Sequence, residues 1–313
     1  MTTEQIVNSG LNKTQKAQQL FGLGLTRKEV SQLVLNGNYG FAQNIYAKWV
    51  VNQVVSGAVV NSGFNFEFNR TFGVEIEAFG VDKNELVTAL QQAGISVQNA
   101  GYTHATTFYW KIVRDGSIRG DNAFELVSPI LQGEAGLLEL KTVCSVLKQK
   151  NALINKSCGL HIHFGVSDFK IKDWRNLYKT YAIQEEQIDN FMPISRRADN
   201  NTYCKGLRLR YSSLDILFSK INASRTITQL SNIAAANGSR YCKVNGTSFS
   251  RHGTVEFRQH SGTIEYHKIS NWILFLARMV DYSKKVGIAQ NFNDFCTTEI
   301  TTFYTQRAPE LAA

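Results

Sequence analysis

Cys158-Gly159-Leu160-His161-Ile162-His163-Phe164-Gly165 places two histidines two residues apart between apolar neighbours and glycines. Side chains of a strand alternate between its faces, so both imidazoles leave one face while Leu160, Ile162 and Phe164 leave the other. Such a strand reads either as a pair of hydrogen-bonded core histidines or as one side of a metal site, since neutral imidazole is a common ligand. Three further stretches favour the site. Phe72-Gly73-Val74-Glu75-Ile76-Glu77, the segment from Arg114 to Pro129, and Thr254-Val255-Glu256-Phe257-Arg258 each present carboxylates at the same alternation.

Glu75 and Glu77 share a strand face, with Phe72, Val74 and Ile76 on the other. Like charges on a crowded face repel and lose hydration, so they call for a cation or an arginine between them, unless that face is simply solvated. Arg114-Asp115-Gly116-Ser117 is turn chemistry and Phe124 to Pro129 an apolar strand, which makes Asp115 and Glu125 candidate ligands at either end of a hairpin. Arg240 to Asn245 and Ser248 to Arg258 read as a final hairpin turning near Arg251-His252-Gly253, with Glu256 and Arg258 on one face. Pro193 to Tyr203 is a polar loop carrying Arg196 and Arg197. It is either solvated or closes over a polyanion, because guanidinium groups match phosphate and carboxylate oxygens two at a time.

Helices are expected between these strands, at Asp82 to Ala93, Glu134 to Gln149, Asp173 to Phe191, Ser212 to Ser219, Thr226 to Ala236 and Ile269 to Val280, which makes an α+β domain. Ahead of it, Thr14 to Val50 carries apolar residues at helical spacing and reads as three short helices. Thr26-Arg27-Lys28-Glu29 has the form of a capping box. Asn36-Gly37-Asn38 supplies a turn, and the helix that follows exposes Tyr39, Gln43, Asn44 and Lys48, a pattern that suits either DNA contact or helical docking. Residues 51–65, poor in charge and rich in Asn, Ser, Gly and Val, mark the boundary, giving a helical, helix-turn-helix-like region over 1–60 and a larger domain over 66–313.

The 313 residues, 43% of them hydrophobic, are enough for a substantial core, and a net charge of +9 favours polyanionic partners. Five scattered cysteines suit a reducing compartment, and no stretch is long and apolar enough to span a membrane, so a cytoplasmic location is expected. Cys158 reads as a packed residue rather than a catalytic thiol.

The order Phe-Gly-Val-Glu-Ile-Glu, Asp-Gly-Ser with Phe-Glu-Leu-Val-Ser-Pro, Cys-Gly-Leu-His-Ile-His and Gly-Thr-Val-Glu-Phe-Arg-Gln-His-Ser-Gly-Thr resembles the amidoligases, relatives of glutamine synthetase and glutamate-cysteine ligase, over about Asn69 to Val280. The resemblance implies a glutamine synthetase-like curved antiparallel sheet with packed helices, ATP and Mg2+ (or Mn2+) as cofactors, and a carboxylate-amine ligase working through an acyl phosphate. It assigns Glu77, Asp115 and Glu125 to one ion and Glu75, His161 and Glu256 to another. His163, Arg240, Arg251 and Arg258 would face the nucleotide or the transferring phosphoryl group, and the Arg196 to Tyr203 loop would act as a lid. Small-molecule or peptide acids and amines are the implied partners. Two other readings compete: a metal-dependent hydrolase, and a DNA-binding regulator whose large domain senses a nucleotide.

Overall fold

The computed structural model describes residues 2–23, 25, 27–55, 64–235 and 239–312. The chain divides into two compact units, Met1–Val59 and Val60–Ala313.

The first unit is helical: α1 (Thr3–Val7), α2 (Lys13–Gly22), α3 (Arg27–Val34) and α4 (Tyr39–Val55). Thr2 and Asn12 cap the first two through reciprocal side-chain bonds with Gln5 and Gln15. The expected cap at Thr26 falls on a residue outside those described. Asn36 and Gly37, both at positive φ, make the turn between α3 and α4. Ile6, Ala17, Leu20, Phe21, Val30, Val34, Ala42 and Ile45 form the unit's own core. The sequence reading missed α1. It also began the linker at Val51, whereas α4 continues to Val55; most of the remaining linker lies outside the described residues.

The second unit is a mixed α+β body around a curved open sheet of eight strands. These are β1 (Thr71–Ala78), β2 (Val97–Gly101), β3 (Trp110–Val113), β4 (Phe124–Val127), β5 (Leu131–Gln132), β6 (Leu160–Gly165), β7 (Val244–Asn245) and β8 (Thr254–Phe257). Their order is β2-β3-β4-β1-β6-β8-β7, with β5 beside β1, and every pairing except β2 with β3 is antiparallel. Helices between the strands are α5 (Lys83–Gln92), α6 (Gly133–Gln149), α7 (Ile171–Asn190), α8 (Leu214–Ala223), α9 (Ile227–Ala234), α10 (Phe249–His252), α11 (Tyr266–Lys285) and α12 (Thr298–Ala312). Asp82 begins α5 by accepting from the amides of Asn84 and Glu85.

One sheet face is apolar. Phe72, Val74, Ile76, Leu160, Ile162, Phe164, Val255 and Phe257 are almost fully buried, and α11 lies over β6 while packing against α6 and α7. Each such side chain contributes about 1.5–3 kcal/mol. That burial pins the opposite, polar face, because a slip of one residue would turn the apolar set outward.

Two expectations change here. Residues 248–252 are not strand: Phe249–His252 form a helical turn between β7 and β8, closed by Gly253 at φ 66°. The 193–203 segment is more than a free surface loop: it is anchored at its base, while Ile194, Asn200, Thr202 and Tyr203 stay exposed. Ala198 N donates to Asp189 Oδ2 at 2.7 Å, and the amides of Leu207 and Arg208 donate to Glu185. Lys243, fully buried, pairs with both Glu185 and Asp189 and clamps the base of the segment. Buried charges hold so firmly only when paired.

Candidate active site

Strand register brings the polar residues of the sheet together. Glu75 stands opposite His161, His163 opposite Glu256, Glu77 opposite Glu125, and Asn245 opposite Glu256. The result is a row of carboxylates and imidazoles across four adjacent strands, β4-β1-β6-β8, extended by the amide of Asn245 on β7.

His161 is the hub. Its Nδ1 lies 2.9 Å from Glu75 Oε2 and 3.8 Å from Glu256 Oε1, and its Nε2 lies 3.7 Å from Glu77 Oε1. Potential ligand atoms of Glu75, His161 and Glu256 all fall within 4.8 Å of one another, as do those of Glu77, Glu125 and His161. The first group matches the set expected from the motifs. In the second, His161 takes the place expected of Asp115, whose Oδ1 accepts from the amide and hydroxyl of Ser117, although Asp115 still lines the cavity. His163 Nε2 is buried and stands 3.2 Å from Glu75 Oε1 without the alignment of a hydrogen bond, while its Nδ1 is 3.0 Å from Thr254 Oγ1. Glu77 Oε2 accepts from Gly159 N at 2.6 Å, and Glu256 Oε2 from Asn245 Nδ2 at 2.6 Å.

The electrostatics are lopsided along the row. Burial alone would raise the pKa of Glu75, but the bond from His161 and the close approach and charge of both His161 and His163 outweigh it and hold the carboxyl well below its usual range. Glu256 is lowered too, because the charge of Arg258 overcomes burial. Glu125 goes the other way: burial first, then the charges of Glu75, Glu77 and Asp115, push it well above the usual range. A carboxyl whose pKa is raised by burial and by neighbouring carboxylates is one that a cation would relieve. The donor set is mainly oxygen, which fits a hard ion such as magnesium, or manganese, better than zinc.

Around the row the cavity has connected chambers. The central one, about 510 Å³, is lined by Glu75, Asp115, Glu125, His161, His163 and Glu256 together with Arg240, Arg251 and Arg258. A second, about 290 Å³, meets Glu77 and His161 and is lined by Arg196, Arg240 and Arg258 with Tyr203 and Tyr241. Arg258 is buried, pairs with Glu256 Oε1 and donates from Nε to Tyr203 O at 3.3 Å. Carboxylate charge keeps it firmly protonated, the charges of Glu256 and Glu75 outweighing burial. Arg196 is 4% exposed and donates to Cys158 O at 2.6 Å. Arg197 is turned away: its Nε donates to Met192 O, and it lines neither chamber.

Gly159 leaves room for this crowding. A Cβ there would stand 3.1 Å from His161 Nε2 and 3.3 Å from an Arg196 nitrogen. Cys158 is buried with its thiol pushed up, first by burial, which suits packing rather than nucleophilic chemistry. In the helical unit, Tyr39, Asn44 and Lys48 are exposed on α4; Gln43 belongs to that helix, and its side chain is outside the described set.

Three residues of the site escaped the sequence reading. Asn245 orients Glu256, Lys111 sits on the same sheet face as Glu125, and His252 lines the central chamber. Alternation in Trp110-Lys111-Ile112-Val113 carried the signal for Lys111, but it needed the β3–β4 register to be read.

The family model described as "Putative amidoligase enzyme" matches residues 68–280, more than half of the chain. The protein belongs to the amidoligase family. No curated protein matches the chain. The matched span of this amidoligase runs from before β1 to within α11, so it contains every residue of the row. Membership makes it a ligase-type enzyme with small-molecule substrates. Among the described residues no helix is long and apolar enough to cross a membrane.

Proposed function

We propose that this amidoligase is an ATP-dependent carboxylate-amine ligase working with Mg2+ through an acyl phosphate, on a glutamine synthetase-like sheet. One observation carries the reading: Glu75, Glu77, Glu125 and Glu256 converge on His161 in a cavity whose adjoining wall carries Arg196, Arg240 and Arg258. Carboxylates crowded beside arginines suit an anion-bound divalent cation, because the cation offsets the carboxylates while its anion meets the arginines. A hydrolytic zinc site needs no such arginine wall.

Glu75, His161 and Glu256 would hold one ion, and Glu77, Glu125 and His161 the other, with Asp115 within reach on the cavity wall. Bound there, magnesium would offset charge on the triphosphate oxygens. The rest is done by the chain. Arg240, Arg251 and Arg258 orient phosphate oxygens, and the planar fork of Arg258, fixed by Glu256 and Tyr203 O, meets the group in transfer. An oxygen of the substrate carboxylate attacks the γ-phosphorus and the bond to ADP breaks. An amine, as its free base, then attacks the acyl carbon, phosphate leaves, and the proton lost from nitrogen passes to the departing phosphate or to solvent. His163, with Nε2 facing Glu75, sits where it can settle charge beside the reacting oxygens. The clamped 193–208 wall excludes water from one side, protecting the acyl phosphate without needing to move.

Screening pooled amino acids, peptides and amines for ADP release, with product masses, tests the reading. ADP formation that requires both an acid and an amine, with a product lighter than their sum by one water, is expected. Phosphate release from ATP that no acid or amine alters would refute it.

A further inference from the structure

A third chamber adjoins the row, about 270 Å³ in volume and more apolar than the others, and nothing in the proposed phosphoryl chemistry uses it. It shares Glu75, Thr103, His104, Glu125, His163 and His252 with the central chamber. Residues 103–106, in the connection from β2 to β3, line it as a strap. The strap is tied at both sides of the sheet. Lys111 Nζ donates to the carbonyls of Ala105 and Thr103, and Thr106 Oγ1 lies 3.4 Å from His252 Nδ1 on α10.

Charge separates the chambers. Arginines line the central and the Tyr203 chambers, where anionic groups belong. Among the described residues none lines the third. The one lysine or arginine among its described lining is Lys111, whose ammonium is turned to the strap carbonyls. Its walls include Ala105, Val127, Pro129 and Ile130, and Glu75 and Glu125 stand where it meets the row. A ligand suited to it has an apolar body and a cationic or neutral head that reaches those carboxylates.

We propose that this chamber holds the amine co-substrate, a primary amine with an uncharged, apolar body. The assignment rests on the ligase reading above. It places the nitrogen at the junction of the two chambers, beside Glu75 and Glu125 and facing the acyl group formed among the arginines. Acid and amine thus enter the row from opposite electrostatic environments, which keeps the amine out of the phosphate subsites.

The test uses the full chain, with n-hexylamine and Mg-ATP as separate calorimetric titrants. Val127→Trp fills the chamber from the sheet side, and is expected to weaken hexylamine at least about tenfold while Mg-ATP stays within about twofold. Because Val127 packs beside Glu75 and Lys111 in the sheet, a surface pair guards against misfolding. Ile130 is 66% exposed at the rim, so Ile130→Lys and Ile130→Glu should shift hexylammonium binding about fivefold in opposite directions. If Val127→Trp instead weakens Mg-ATP and leaves hexylamine unchanged, the chamber holds the nucleotide and the proposal is overturned. A wild type that binds Mg-ATP but no hexylamine also overturns it, and leaves the ligase reading standing. A wild type that binds no Mg-ATP overturns both.

Discussion

Glu125→Gln should stabilise the protein without divalent ions and remove most of its stabilisation by them. Ligand atoms of Glu125 and Glu77 lie within 4.8 Å of each other. Two full charges at that separation repel by about 3 kcal/mol at an effective dielectric of 20. Burial, and then this repulsion from its carboxylate neighbours, raise the pKa of Glu125, so that taking up a proton relieves the charge. The amide should therefore recover about 1 kcal/mol, or about 2 °C in melting temperature for a body of this size. The sign with pH follows. Below the ordinary carboxyl pKa, Glu125 is protonated folded or unfolded and costs nothing. As pH rises toward the elevated folded pKa, the unfolded chain ionises first and the wild type loses stability that Glu125→Gln keeps. Divalent ions reverse the comparison: at about a hundredfold excess over Kd, magnesium adds about 2.7 kcal/mol to the wild type, and binding releases the Glu125 proton, so affinity rises with pH. Thermal melts from pH 5 to 8, with and without MgCl2, measure both effects. A variant that melts lower without metal and gains as much from MgCl2 as the wild type would refute the reasoning, leaving Glu125 a structural hydrogen-bonding group.

Glu75→Ala with Glu77→Ala should abolish Mg-ATP binding in a calorimetric titration, because both candidate ion groups lose a member; unaltered affinity would remove the metal site. Arg258→Lys keeps the charge but loses the fork held by Glu256 and Tyr203 O, so turnover should fall about a hundredfold or more with Mg-ATP affinity nearly unchanged. A matching loss of melting temperature and nucleotide affinity would mark a purely structural pair. Gly159→Ala should cost about 1 kcal/mol of stability or less yet weaken Mn2+ binding about tenfold, since the new methyl displaces His161 and Arg196 by a few tenths of an ångström; an unchanged Mn2+ titration would show that the site tolerates the shift. A chain beginning at residue 64 should still bind Mg-ATP, and one that fails to fold would make the helical unit part of the catalytic body.

Much of this molecule is written locally. The alternation in residues 72–77 and 160–164 already assigns carboxylates and imidazoles to one face and Phe, Val, Ile and Leu to the other, because strand geometry depends only on near neighbours. The Asp82 cap, the Asn36-Gly37 turn and the helical periods of α5, α6, α7 and α11 are equally local. The ordered motifs from Phe72 to Thr263 carried the family. Register was not local. That Glu75 meets His161, that Glu77 meets Glu125 and that His161 joins both ligand groups depends on pairing segments about fifty to ninety residues apart. Such pairing is selected by burying the apolar face of the whole sheet at once. Burial of charge was likewise invisible: Arg196 and Arg197 are chemically identical neighbours, but Glu185, Asp189 and Lys243 clamp the segment so that only Arg196 reaches the cavity wall. Nothing local marks Lys111 within its short strand, and only the strap folded above it shows what its ammonium holds.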